Sequence, residues 1–569
     1  MPTIYQRFKV SAEKFPDREC LAEINQGQYR AWTYADIAFD VNRLASAFCH
    51  LGLQTGDHIA LLLPNGRHWA LVDLACSRMG YISVPIHTTY NAHYVNHIIT
   101  HSDSKTLVIS EELWHKFFDD IRDLKLERII VVGPNPRDGV IHFDQLLSSV
   151  IDIEEPAEVS SDACHTIIYT SGTTGDPKGV MLSHRNILSD SDNARNHIPV
   201  TETDRFFSFL PLSHVLERTG GYYTPLVNGA AIYYASSPAN IAVEVKLAKP
   251  TIMLAVPRIF EKVYEKIYVR INAGSPMQKK LFFVALKLQR KHLNGQLSWL
   301  QKLLRSLLEI IVLKKIRGSL GGRLRFAVSG GASLDSKIAK FFETVGIKIV
   351  EGYGLTETSP IVATNKPGHY KFGTVGMPIP NVEVKIGQDK EILVRGESVM
   401  LGYYRNDAAT REAIDNDHWL HTGDMGFIDV EGFLTITGRI KELIILSTGK
   451  NISPVPIEQA LNRTKYITQS LFYGNRQKSL SALIVPDFDE LAMWLHEHHY
   501  DVPAKDSLNK QYVVQLYSDE INHALREFTS IEQIQNFTLV AEEFTEANGL
   551  MTPTLKLKRN LILKNNTKV

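Results

Sequence analysis

The sequence predicts a multidomain α/β protein, and three observations carry that reading. Strand-like apolar runs alternate with helix-period segments through residues 58–133. From Thr374 the texture turns to short alternating strands and turns. After Arg439 it becomes mixed α+β again. The expected architecture is a large N-terminal domain over residues 1–437, holding two parallel-type sheet subdomains plus a β-rich subdomain. A boundary falls at residues 438–441, and a small α+β C-terminal domain fills 442–569. With 569 residues the chain is long enough for several folding units, since one domain usually takes about 100–200.

In chain order, residues 32–51 carry Ile37, Val41, Leu44, Ala45 and Phe48 at helical spacing, with Thr33 placed to cap. HIALLLPN (58–65) reads as a buried strand ended by a Pro/Asn turn, 69–79 as a helix, and GYISVPIH (80–87) as the next strand. That strand–helix–strand unit implies parallel pairing. Residues 94–101 with KTLVIS, and then 113–126 with RIIVVG, repeat it. The acidic, breaker-rich DIEEPAEVSSDA (152–163) is a loop. RFFSFLPLSHVLERTGG (205–221) passes from a strand through a turn into a helix. Residues 251–256 form another strand, after which PRIFEKVYEKI opens a long helical region. RLRFAVSGGASLD (323–335) reads as strand, Gly-Gly turn and a helix capped by Asp335, and KIVEGYGLTETSP (348–360) as a strand breaking into a glycine-punctuated loop.

The densest chemistry lies at residues 169–179, YTSGTTGDPKG. It follows the strand-like run His165-Thr166-Ile167-Ile168-Tyr169 and precedes VMLSHRN, which is compatible with the start of a helix. Glycines let a backbone approach an anion, hydroxyl and N–H groups donate to it, and Lys178 adds positive charge. That combination suits a polyphosphate. Gly179 follows Lys178, so this is not the common nucleotide-triphosphatase loop, in which Ser or Thr follows Gly-Lys.

Zero formal net charge argues against general nucleic-acid binding. Four scattered cysteines, Cys20, Cys49, Cys76 and Cys164, have no metal-ligand spacing and fit a reducing compartment. No signal peptide or membrane span is legible, so a cytoplasmic location is expected. His496 and His499 in HEHHY read as solvent-facing side chains, since no carboxylate or cysteine set joins them. Residues 279–325 hold twelve lysines and arginines against Glu309 alone, interleaved with Leu300, Leu303, Leu304, Leu307 and Ile311. This is either a cationic solvated face on a core-packed helix pair or a surface for peripheral contact with an anionic membrane.

YTSGTTGDPKG, EGYGLTET, HTGD and GRIKE stand in one order and spacing that resembles the adenylate-forming (AMP-binding) superfamily. The resemblance covers essentially the whole chain. VPRIFEKVYEKI, the long insertion after it and the TPTLKLKR ending resemble the long-chain fatty acyl-CoA synthetase branch. It implies a ligase that uses ATP, Mg²⁺ and CoA to turn a long- or medium-chain fatty acid into acyl-AMP and then acyl-CoA. The alternative it leaves open is an acyl-AMP ligase that delivers to a carrier protein.

By the same resemblance, Thr170, Ser171, Gly172, Thr173, Thr174, Gly175 and Lys178 hold the β- and γ-phosphates. Gly330, Gly331 and Ala332 wall the adenine pocket, and Glu351, Gly352, Tyr353 and Gly354 follow, with Tyr353 stacking on the base. Thr356 bonds the α-phosphate and Glu357 binds Mg²⁺. Asp424 takes the ribose hydroxyls, with Arg439 as its partner. His214 sits near the carboxylate and acyl pocket, a helix-capping or core histidine being the other reading. Lys441 is the hinge of a small mobile C-terminal domain. Gly449, Lys450 and Asn451 approach the CoA channel, and Lys556, with Arg559 three residues on, is the catalytic lysine. The family's glycine before that lysine is Leu555 here.

Overall fold

The computed structural model describes residues 1–134, 139–150, 152–170, 177–448, 450–545, 548–551 and 557–566. The strand–helix rhythm of the first part folds as the periodicity requires. Thr33 accepts from the Asp36 N–H while Asp36 accepts from Thr33, a capping box that starts the helix Tyr34–His50. Its Ile37, Val41, Leu44, Ala45 and Phe48 are all buried. His58–Leu62 pairs in parallel with Ile82–Pro85 on one side and Thr106–Ser110 on the other, and Arg128–Val132 continues the series. The connecting helix Arg67–Met79 is buried from Trp69 to its end, so its apolar residues run all round it rather than along one stripe. These strands belong to an eight-stranded sheet whose far edge is Cys164–Thr170, Lys178–Ser183 and Gly402–Tyr403.

A nine-stranded sheet holds the second parallel run. Glu19–Asn25, Ala231–Tyr234, Arg205–Ser208, Ile252–Ala255, Phe326–Ser329 and Ile349–Gly354 pair in that order, all in parallel. The helices Pro257–Asn272, Pro276–Leu293 and Ser336–Thr344 join one core with it through Phe260, Phe282, Phe342, Phe207 and Met253. The π-helical segment Leu216–Tyr223 is also packed on this sheet. A Cβ on Gly220 would lie 2.6 Å from Leu254 Cδ2, and that close approach requires glycine.

VMLSHRN departs from the expected helix start. Lys178–Ser183 is a strand antiparallel to Cys164–Thr170, and the helix His184–His197 begins only after Ser183, which caps it together with Asn186. Pairing with an existing strand buries Val180 and Leu182 completely, which an early helix would forgo.

A fully buried ion pair joins Asp73 on Arg67–Met79 to Arg218 on Leu216–Tyr223 against strands of the first sheet. Arg218 donates to Asp73 and Ser83, to Thr166 Oγ1 at 2.6 Å and through Nε to Tyr223 Oη at 2.9 Å, while Tyr223 donates to Asp73 Oδ2 at 2.9 Å. Burial would push the Asp73 carboxyl up, but Arg218 and its other partners hold it well below the usual carboxylate range.

The chain divides into two compact units, Met1–Val384 with Val394–His421 and Asp429–Leu434, and Lys385–Leu393 with Thr422–Ile428 and Thr435–Val569. The β-rich texture expected from Thr374 appears as the short strands Met377–Pro378, Val382–Ile386, Glu391–Gly396, Leu420–Ile428 and Leu434–Arg439. The second unit has its own core. Ile467–Tyr473, Leu480–Pro486 and Ile534–Leu539 form a three-stranded sheet, with Ile457, Leu491, Val513 and Tyr517 from the helices packed together with Leu480 and Ile484. The mixed α/β class read from the sequence is the class observed. Among the described residues, no helix is long and apolar enough to cross a membrane.

Candidate active site

Two paired strands flank the glycine-rich segment. Thr170 and Lys178 are the last register pair of Cys164–Thr170 and Lys178–Ser183. Ser171, Gly172, Thr173, Thr174 and Gly175 lie outside the described residues. Gly179 is required by packing, since a Cβ there would come within 2.7 Å of Ile167 Cγ2. The Lys178 ammonium lies 5.1 Å from the centroid of the Tyr403 ring, a cation–π contact. Tyr403 reaches it because Gly402–Tyr403 pairs antiparallel with the lysine's own strand, Tyr403 opposite Val180. The same tyrosine donates its hydroxyl to Glu357 Oε1 at 2.8 Å, and the Met400 N–H donates to the Glu357 carbonyl at 2.9 Å. Burial, with the Glu357 carboxylate beside it, holds the Tyr403 phenol far above its usual value, so it remains a donor at neutral pH. Lys178 and Glu357 are therefore joined through a residue that no motif singled out.

The residues expected to wall an adenine pocket start from neighbouring strands. Ser329 and Glu351 are register partners on parallel strands, so Gly330-Gly331-Ala332 and Gly352-Tyr353-Gly354 continue from adjacent strand ends, the usual place for ligands in open α/β sheets. Glu351 Oε2 accepts from the Leu334 N–H at 3.2 Å and so ties the Gly-Gly turn to its own strand. Burial pushes the Glu351 carboxyl up to about 7. Gly354 admits no side chain, since a Cβ would lie 1.7 Å from the Pro360 carbonyl oxygen. Thr356 opens the short helical turn Thr356–Thr358 and is nearly buried. Its neighbour Leu355 donates its N–H to Thr358 Oγ1 at 3.0 Å, which fixes the turn.

His214 precedes the π-helical segment. Its Nδ1 accepts from the Leu216 N–H at 3.3 Å. Leu216 packs on the Gly330-Gly331 turn, 3.2 Å from where a Gly330 Cβ would stand. The histidine segment and the Gly-Gly turn thus meet within the first unit.

In the second unit Arg439 Nε donates to Asp424 Oδ1 at 2.7 Å, the partnership expected of them. Asp424 is buried while Arg439 is part-exposed, so the carboxylate is held by a guanidinium that is itself hydrated. Lys441 is exposed in the turn Ile440–Glu442, and Lys450 and Asn451 are exposed beside the short pairing of Asn451 with Ile445. Gly449 and Lys556 lie outside the described residues. Arg559 is anchored in a bidentate pair with Glu458, at 2.7 Å to Oε1, and Glu458 also accepts from the Phe472 N–H at 2.8 Å.

Among the described residues, no group of three or more His, Cys, Asp or Glu could hold a metal unaided. Glu357 offers one hard oxygen ligand, which fits a Mg²⁺ that takes its other ligands from water and phosphate. The His498 ring stacks on Trp494 at 4.3 Å.

The family model described as AMP-binding enzyme matches residues 8–404, and that of the AMP-binding enzyme C-terminal domain matches 441–499. The chain is 31% identical to the long-chain-fatty-acid–CoA ligase FadD15 of Mycobacterium bovis, over 96% of this chain and 93% of that protein. It is 28% identical to the chloroplastic long-chain-fatty-acid–[acyl-carrier-protein] ligase AEE15 of Arabidopsis thaliana, over 98% and 84%. Among solved structures, the anthranilate CoA ligase AuaEII in complex with anthranoyl-AMP shares the fold with a TM-score of 0.77 at 20% identity, over 99% of this chain and 97% of that one.

Proposed function

Because the chain belongs to the AMP-binding enzyme family, we propose that it is an ATP-dependent acid–thiol ligase acting on long- or medium-chain fatty acids. The observation that supports this reading is the meeting of Lys178, Tyr403 and Glu357, which gathers a cation of the glycine-rich segment and a carboxylate suited to ligate a metal. A carboxylate is a poor acylating agent because oxide would have to leave. Its oxygen therefore attacks the α-phosphorus of ATP, the bond to the β-phosphate breaks, and pyrophosphate departs. A CoA thiol then attacks the acyl carbonyl, and AMP leaves.

The first step brings two anions together, so the site must neutralise and orient charge. In this proposal residues 170–178 clamp the departing pyrophosphate end, and Thr356 donates to the α-phosphate. Tyr353 stacks on adenine, Asp424 accepts from the ribose hydroxyls with Arg439 fixing its carboxylate, and His214 orients the acid. Mg²⁺ held by Glu357 would supply positive charge between the phosphates. Lys556 serves adenylate formation. The domains in this proposal are residues 1–437 and 442–569, with Lys441 in a hinge at 438–441. Turning there withdraws Lys556 and brings Gly449, Lys450 and Asn451 toward the thiol. In this proposal the enzyme works in the cytoplasm and makes peripheral contact with an anionic membrane through residues 279–325.

The test is AMP release and acyl-CoA formation with a panel of fatty acids, with and without CoA. Acid-dependent AMP with stoichiometric acyl-CoA is expected, and no acid-dependent AMP overturns the proposal. Likeness to a carrier-protein ligase supports the second reading, in which AMP forms but little free acyl-CoA does.

A further inference from the structure

The insertion that follows Pro257–Asn272 ends in the helix Trp299–Leu308, continued by the π-helical turn Glu309–Leu313. Gln301, Arg305, Leu308 and Val312 face inward, and Arg305 donates to Gln289 Oε1 of the neighbouring helix at 3.0 Å. The other face is apolar and bare. Trp299, Leu300, Leu303, Leu304, Leu307, Ile310 and Ile311 are between 41% and 70% exposed. At 100° per residue the five on the α-helix Trp299–Leu308 form one unbroken arc of about 140°, and Ile310 and Ile311 follow on the π-helical turn. Isolated exposed leucines are ordinary, but a contiguous ridge of seven large side chains marks a surface that something covers.

The charge around the ridge says what covers it. Lys302 borders the arc, Lys314 and Lys315 follow its end, and all three are exposed. Glu309, the one carboxylate of residues 279–325, is already taken by Arg317. A second copy of the chain docked ridge to ridge would set these lysines against their own images. An anionic surface would not. On the adjoining helix Pro276–Leu293, an open cleft of about 520 Å³ has Tyr268, Phe283 and Leu286 beside Lys287, Arg290 and Lys291. Apolar walls next to three cations match the chemistry of an anionic headgroup above an acyl chain.

We propose that the outward ridge of Trp299–Leu308 and Glu309–Leu313 inserts among the acyl chains of an anionic bilayer, with the flanking lysines at headgroup level. This deepens the fatty-acid reading, on which it rests, by naming the surface that meets the phase where such acids partition. Binding then has an apolar term that salt leaves intact and a Coulombic term that salt screens.

The experiment is co-sedimentation of the full chain with vesicles of phosphatidylcholine, alone or mixed with phosphatidylglycerol, at low and high salt. Strong binding to the mixed vesicles is expected, weakened but not abolished by salt. Trp299 emission should shift to the blue and be quenched by lipids brominated on the acyl chain, a response that Trp299→Phe removes. Leu303→Glu with Leu307→Glu should lower the partition coefficient about tenfold or more. The double variant should keep its far-ultraviolet circular dichroism and its ligase activity on a soluble medium-chain acid. Unchanged vesicle binding by that variant overturns the proposal. So does the absence of vesicle binding together with a concentration-dependent dimer that the variant abolishes. A chain that binds vesicles through the ridge but makes no acyl-CoA refutes the ligase reading alone.

Discussion

Replacing Glu217 by glutamine should stabilise the protein by an amount that grows with pH. Glu217 lies in the π-helical segment Leu216–Tyr223 with its carboxyl buried and Oε2 without a hydrogen-bond partner among the described residues. Burial pushes the carboxyl from 4.5 up to about 8, the Ser208 hydroxyl taking a little back. The folded value lies above the unfolded one, so the group's contribution is fully present below pH 4.5. It is lost as pH rises toward 8 and stays lost above that. At 1.36 kcal/mol per pH unit the whole loss is about 5 kcal/mol, of which about 3 kcal/mol falls between pH 5 and pH 7. Glutamine has no such slope. With about 400 residues in the larger unit and about 2.1 cal/mol/K of unfolding entropy per residue, 1 kcal/mol moves Tm by about 1 °C. The difference between the Tm of Glu217→Gln and that of wild type, followed by scanning calorimetry, should therefore rise by about 3 °C from pH 5 to pH 7 and level off above pH 8. A difference that stays flat from pH 5 to pH 9, or falls, refutes the reasoning. Glu351 titrates with the same sign, but it is common to both proteins and cancels.

Three further outcomes are expected. Tyr403→Phe removes one hydrogen bond to a carboxylate, about 1.5–3 kcal/mol, so Tm should fall by about 1.5–3 °C, kcat about tenfold, and half-activity should need more Mg²⁺; an unchanged Mg²⁺ titration would count against the Glu357 assignment. Lys556→Ala should cost adenylate formation about a hundredfold or more while largely sparing thiolysis of supplied acyl-AMP, and equal loss of both half-reactions would remove its assigned role. Asp73→Asn strands the Arg218 charge in the core and should cost about 3–5 kcal/mol, read as a lower Tm; a Tm within about 1 °C of wild type would show that the pair is not the strut it looks like.

What could be read in advance was local. Thr33 and Asp36 announce a helix start because the cap forms within four residues, and the strands around Ile59 follow from apolar runs. The nucleotide motifs are contiguous too, so each was legible by itself. Tyr403 was not, because its partners Lys178 and Glu357 lie far away along the chain and only strand pairing brings them together. A tyrosine in GYY beside a turn carries no mark of that. The strand Lys178–Ser183 was hidden for the same reason, since its partner decides it. The amphipathic pattern of the insertion was visible, but pattern alone left open which face the protein core would take. Burial of Leu308 and exposure of Leu303 and Leu307 decide it.

Tyr403 also has a thermodynamic consequence. Its ring face parks the Lys178 ammonium while its hydroxyl rests on Glu357, so one side chain sits between the cation proposed to meet phosphate and the carboxylate proposed to meet metal. An anion that draws Lys178 off the ring alters the hydrogen bond at Glu357, and a metal that claims Glu357 alters the ring that Lys178 must leave. Whatever factor metal adds to nucleotide affinity through this tyrosine, nucleotide returns to metal affinity. The two ends of the proposed triphosphate site cannot be tuned separately while that ring stands between them.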